Sequence, residues 1–215
     1  MHVVEALTRA RSRASLVAIA LALALGCTSD GTPSPDSPGS EKPPAELVVA
    51  RLAATAPPLE ESTVSFWAIR GQGVEQKLYF LDAEGGRGEE YLSLKLEDES
   101  LLSRPDGSAI AEGDSVLITI TVEDPALLLF ELQPTGLKFS TAKPAELKIR
   151  YAQADDDLNE DGEVDEQDDQ IETILGIWRQ EQPGQPFVRL GSVKVEEQQE
   201  LEAMLTGFSR YAIAY

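Results

Sequence analysis

Cysteine and histidine are almost missing from this chain: Cys27 and His2 are its only examples, both near the N-terminus. One cysteine closes no disulfide within the chain. Beyond residue 27 there is no histidine for a Ser-His-Asp or Cys-His catalytic site, and no Cys/His set for zinc. Basic residues are scarce, 18 against 38 acidic, for a net charge of −20. A phosphate backbone needs a basic face, so nucleic acid is excluded as a partner, and so is peripheral docking on anionic lipid. Aromatics make up only 6% of a chain that is 42% hydrophobic, so a core of modest size must rest on aliphatic side chains. The one long apolar run, Leu16 to Leu25, is ten residues, too short to span a bilayer as a mature helix.

What the chain does have is an acidic loop. Asp155 to Asp169 reads DDDLNEDGEVDEQDD, and within it Asp157, Asn159, Asp161, Asp165 and Asp168 fall on positions one, three, five, nine and twelve of a calcium loop. Gly162 stands sixth, where the backbone must turn sharply, and the Glu163 carbonyl fills the seventh position. The expected cofactor is therefore Ca²⁺, held by the side chains of Asp157, Asn159, Asp161 and Asp168, by the Glu163 carbonyl and by water on Asp165. The loop most resembles that of dockerins, which also commonly ends in Asp. The resemblance implies that Val164 packs inward; a closing Asp is one methylene shorter than Glu, so bidentate reach is less assured. Residues 155–172 hold 11 carboxylates and no Lys or Arg, and a divalent ion would relieve that repulsion. Such a run otherwise reads as a solvated acidic loop.

The N-terminus reads as an export signal over residues 1–26, with Arg9, Arg11 and Arg13 ahead of the apolar run. Ala24-Leu25-Gly26-Cys27 resembles the lipobox of bacterial lipoproteins, although Ala24 stands where that family prefers Leu. The resemblance implies that Cys27 is lipidated and anchors the chain to a membrane; the other reading is an ordinary cleaved signal. Residues 27–44 then form a Ser/Pro/Gly tether. Thr28 after the cysteine resembles lipoproteins sorted to the outer membrane, so the expected location is the bacterial cell envelope. Removing the signal takes away three Arg and one Glu and leaves 15 basic and 37 acidic residues, a net of −22.

From residue 45 to 215 the pattern is that of strands. Leu92, Leu94 and Leu96, then Val116, Ile118, Ile120 and Val122, then Leu147, Ile149 and Tyr151 recur with period two. Gly71-Gln72-Gly73 (read as a hairpin), Gly85-Gly86, Pro105-Asp106-Gly107, Pro134-Thr135-Gly136 and Gln182-Pro183-Gly184 punctuate them. Strands are expected near 46–53, 63–70, 75–82, 90–96, 115–123, 127–133, 145–151, 173–180, 186–190, 199–206 and 208–215. The fold class is all-β, an antiparallel sandwich of Ig-like architecture, with the acidic loop inserted and Ile171, Ile174 and Leu175 placed for one short helix after it. Asp124-Pro125 marks a point where two smaller β-layers would divide. Aromatic residues in the strand patterns, Trp67 and Trp178 among them, are expected in the core.

Residues 132–151, Ile177-Trp178-Arg179, Pro183-Gly184, Phe187 to Leu190 and Phe208-Ser209-Arg210-Tyr211-Ala212 follow an order that resembles the β-sandwich domain of ankyrins, netrin receptors and zonula-occludens scaffolds. That family implies an interaction or structural module without catalysis, with a protein or polysaccharide of the envelope as the open partner class. Ankyrin's spectrin contact uses basic surface that this chain lacks. Two other readings stand beside it. A dockerin-like docking module would need a second calcium loop, and the chain has one. A hydrolase or carbohydrate-binding protein has no nucleophile motif or aromatic spacing to support it.

Overall fold

The computed structural model describes residues 38–215, all within one compact unit. The export signal, Cys27 and the first part of the tether lie outside the described residues. In chain order the strands are β1 (Glu41–Lys42), β2 (Thr63–Ile69), β3 (Val74–Leu81), β4 (Arg87–Leu96), β5 (Leu101–Ser103), β6 (Ser115–Val122), β7 (Leu129–Gln133), β8 (Lys138–Phe139) and β9 (Ala145–Arg150). One helix follows, α1 (Glu166–Ile174), and then β10 (Gly176–Gln180), β11 (Phe187–Arg189), β12 (Ser192–Val195), β13 (Glu200–Leu205) and β14 (Arg210–Ala214).

The fold is an all-β sandwich of antiparallel sheets. A seven-stranded sheet runs β1-β11-β10-β14-β7-β6-β2, a five-stranded sheet runs β12-β13-β9-β4-β3, and β5 pairs with β8. Both large sheets draw strands from before and after Asp124. The period-two residues form the layer between them: Leu92, Leu94, Leu96, Val116, Ile118, Ile120, Val122, Leu147, Ile149 and Tyr151 are all buried. Two aromatic pairs lock that layer edge to face, Phe80 with Tyr91 at 5.3 Å and Phe139 with Phe208 at 4.7 Å between ring centres. The Tyr211 hydroxyl donates back to the Gly207 carbonyl at 2.5 Å, pinning the entry to β14, and burial pushes its pKa up to about 12.

Several boundaries differ from the sequence reading. Residues 46–53 are a strap rather than a strand. Val49 bridges Ala214 at the end of β14, while Arg51 bridges Leu127 and Leu52 bridges Ala154, both outside the strands, so the segment makes isolated bridges to separate parts of the chain instead of running beside one strand. Its Leu47 joins Trp178, Phe187, Ala212 and Ala214 in a second small core on the outer face of the larger sheet. The tether ends earlier than Pro44, because Glu41 and Lys42 pair with Val188 and Phe187. Gly71-Gln72-Gly73 closes no hairpin: β2 and β3 belong to different sheets, and the turn carries the chain from one to the other. The strand expected from 173 begins at Gly176, because α1 extends through Ile174. Trp67 is 61% exposed, not core, since it lies on the outer face of a terminal strand.

One buried charge invites a pH test. The Glu200 side chain lies within β13, 3.3 Å from Arg150 and 3.9 Å from Lys148. Burial raises its pKa above the usual carboxylate range, against the opposing pull of the Arg150 hydrogen bond and the Lys148 charge. A carboxyl whose folded pKa is raised adds stability that is complete below its unfolded value, near ~4.3, and is lost as pH rises through the folded value. Glu200→Gln lacks this titration. The melting temperature of the parent relative to the variant is therefore expected to fall between pH ~4 and pH ~7. Thermal melts of both proteins at the two pH values check the sign.

Candidate metal centre

The acidic loop connects β9 of the smaller sheet to β10 of the larger one through α1. Its ends are tied down: the Tyr151 N–H donates to the Gln199 carbonyl at 2.8 Å, and the Asp155 N–H to the Arg51 carbonyl at 2.9 Å. Between them the loop closes on its own amides. The Asp157 carboxylate accepts from the N–H groups of Asp161 at 3.1 Å and Gly162 at 2.9 Å. Asn159 Oδ1 also accepts from the Asp161 N–H, at 2.9 Å, and Asn159 Nδ2 donates to Asp161 Oδ2 at 3.1 Å. Asp161 Oδ1 in turn accepts from the Glu163 N–H at 2.9 Å. Gly162 has φ +91°, the left-handed conformation that a side chain would strain.

The second half of the loop is the start of the helix. Asp165 is the N-cap of α1 and accepts from the Gln167 N–H at 2.7 Å; Asp168, three residues on, accepts from the Asp165 N–H at 2.9 Å, completing a capping box. Three acids in the first turn, Glu166, Asp168 and Asp169, face the positive end of the helix dipole. Asp168 is only 3% exposed, and its Oδ1 accepts from the N–H groups of Leu158 at 2.8 Å and Asn159 at 3.2 Å. The Asp165 N–H first, then those of Asn159 and Leu158, hold its carboxyl below the usual carboxylate range, against desolvation. Asp168 thus staples position twelve to positions two, three and nine.

Asp157, Asn159, Asp161, Asp165 and Asp168, the five side chains expected to serve a cation, therefore belong to one hydrogen-bonded loop. Each carboxylate oxygen has two lone pairs, so an N–H on one leaves the other free for a cation. Asp157 and Asp161 keep such free pairs. Asp168 does not offer a bidentate grip: Oδ1 already accepts two donors and Oδ2 one, which leaves it one lone pair. The donor chemistry fits a hard cation taking oxygen ligands, with Asp168 as a single-oxygen ligand. As placed, no group of three or more His, Cys, Asp and Glu side chains among the described residues is gathered tightly enough to hold an ion.

The expected inward residue of the loop is misassigned. Val164 is 68% exposed, whereas Leu158 is buried, its carbonyl held at 2.9 Å by the Tyr215 hydroxyl. Leu158 follows Asp157 and is buried against the sandwich, in a loop entered from β9 and not from a helix. A cavity of about 110 Å³ opens beside it, with Tyr151, Asp168, Glu172 and Leu175 in its wall. Two basic residues from elsewhere meet the loop region: Arg51 lies 3.5 Å from Glu160 and Lys194 lies 3.3 Å from Glu172. The sequence alone signals neither, since each comes from a distant segment.

No helix among the described residues is long and apolar enough to cross a membrane. Compared with known proteins, the chain matches no protein-family model, no curated protein and no solved structure.

Proposed function

We propose that this protein is an exported, lipid-anchored β-sandwich that holds Ca²⁺ in the loop Asp157–Asp168 and serves as an interaction or structural module of the bacterial cell envelope, at the outer membrane. The observation that carries the calcium reading is the closed amide ring of the loop: Asp157, Asn159, Asp161 and Asp165 are each oriented by peptide N–H groups at the positions a calcium loop uses. Ligands already oriented lose less freedom on binding. The role of the ion is structural. The loop joins the two sheets, and α1 buries Ile171 and Ile174 in the body, so neither side is free to swing as a sensor does. That burial also argues against a dockerin-like use of α1, whose apolar side is committed to its own domain.

The anchor rests on the lipobox-like Ala24-Leu25-Gly26-Cys27 and the Ser/Pro/Gly stretch after it. Expression of the full chain in a bacterium is expected to place it in the membrane fraction with fatty acid incorporated, and Cys27→Ser to release it to the soluble fraction without label. Unlabelled parent protein in the soluble fraction would refute the anchor while leaving the calcium reading to its own test.

A further inference from the structure

Strand β2 ends the seven-stranded sheet, and among the described residues its one strand partner is β6. The Val122 N–H donates to the Ser62 carbonyl at 2.8 Å and the Arg70 N–H to the Asp114 carbonyl at 2.9 Å, so even-numbered residues turn their peptide groups to β6. Alternation along the strand leaves the peptide groups of Thr63, Ser65 and Trp67 at the open edge. Open edges are templates for another strand, and proteins normally guard them with shortness, charge, proline or bulges. Among the described residues, the other three ends of the two large sheets are guarded. Strand β1 has two residues, and β12 has four, with Lys194 among them. Strand β3 carries Glu75 and Lys77 and shifts register along β4, while the Pro58–Glu60 segment bonds to Tyr79 and Leu81. By contrast, β2 (TVSFWAI) has seven residues in unbroken register, with neither charge nor proline. Trp67, 61% exposed, stands directly opposite Leu117, 46% exposed, and Phe66 is half-buried at the inner rim.

We propose that β2 is a self-docking edge, to which a second copy of this chain adds its own β2 antiparallel, Phe66 opposite Phe66, joining two seven-stranded sheets into one. In this register each Ser65 faces the partner copy's Trp67. The two Trp67 rings then lie diagonally adjacent on the outer face, within reach of each other, and the two Phe66 rings meet on the inner face. Antiparallel pairing sets Glu61 of one copy at the opposite end of the joined strands from Glu61 of the other, whereas parallel pairing would put Glu61 against Glu61. The contact is isologous and closes as a twofold dimer. Because each copy carries a large negative charge, salt tightens this association, the opposite of what a basic peptide on the same edge would show.

Sedimentation of the chain from Pro33 to Tyr215 across a concentration series up to ~100 μM tests it. The expected result is a monomer–dimer equilibrium that strengthens with NaCl and that Ser65→Lys, an edge lysine on an exposed position, weakens ~tenfold or more while the melting temperature of dilute protein holds. That chain lacks Cys27, so Phe66→Cys supplies its one thiol. Under oxidation it is expected to form a disulfide-linked dimer faster than the more exposed Val193→Cys on the β12 edge. A monomer at every concentration and salt, a dimer that Ser65→Lys leaves intact, or faster cross-linking through Val193→Cys would each overturn the proposal.

Discussion

Addition of ~1 mM Ca²⁺ is expected to raise the melting temperature of the chain from Pro33 to Tyr215 by roughly 3–8 °C over the chelated protein. A loop site of ~10⁻⁴ M affinity, in the range of extracellular modules, is largely filled at that concentration and adds about 1–2 kcal/mol to the folded state. Magnesium at equal concentration is expected to give a much smaller shift, because it demands near-ideal octahedral geometry at shorter distances and sheds water reluctantly. The double variant Asp157→Ala/Asp161→Ala removes two proposed ligands, the acceptors of the Gly162 and Glu163 N–H groups and one of the two acceptors of the Asp161 N–H. Its chelated form is expected to melt below the parent, and calcium to leave it unmoved. Asp168→Asn removes the charge and keeps one accepting oxygen for the Leu158 and Asn159 N–H groups, but it turns an NH2 donor toward the Asp165 N–H, so it is expected to loosen the helix cap as well as weaken ion binding. A parent protein whose melt ignores calcium, with the loop equally open to protease in calcium and in chelator, would refute the site.

Trp178→Ala is expected to cost about 3–5 kcal/mol, the usual range for emptying a buried aromatic site, and to lower the melting temperature by ~10 °C or more. Trp178 is fully buried between the larger sheet and the strap, packed by Leu47, Phe187, Ala212 and Ala214. Its indole Nε1 donates to the Ala214 carbonyl at 3.0 Å, and the charged ends of Lys42 and Arg189 sit 5.2 Å and 5.6 Å from its ring centre. Truncation leaves a void, an acceptor without its donor, and a strap with little to hold. The other tryptophan is the control. Trp67→Ala removes an exposed ring and is expected to cost under about 1 kcal/mol. Fluorescence reports the same contrast, because the chain has two tryptophans. The Trp67→Ala variant is expected to emit to the blue, from buried Trp178, and the Trp178→Ala variant to the red. Equal costs, or the reverse order of emission, would contradict the burial assigned to the pair.

Strands β6 and β9 are legible in the sequence because each has one face in the core, so burial writes itself as period two: Val116, Ile118, Ile120 and Val122, or Leu147 and Ile149. Strands β5 and β8 are not, since two or three residues carry no period and Leu101 finds its partner Phe139 only across a long loop. The strap over 46–53 has strand composition, yet its three isolated bridges go to separate segments, only one of them a strand, so it forms no ladder of its own.

By itself the sequence determined the all-β class, the turns, and the oxygen-bearing residue types of the acidic loop, because these depend on local periods and on residues a few places apart. Only the tertiary structure decided how those features are used. Phe66 and Trp67 are neighbours that must face opposite sides of a strand, but nothing local says which side is covered. The place of β2 at the end of its sheet leaves Trp67 to solvent. Likewise Asp168 is legible as position twelve. Its commitment to the amides of Leu158, Asn159 and Asp165 follows from the helix cap folding back on the loop entry, and that leaves it one lone pair for an ion. Local chemistry selects the groups, and the packing of distant segments sets which of their lone pairs, faces and edges remain free.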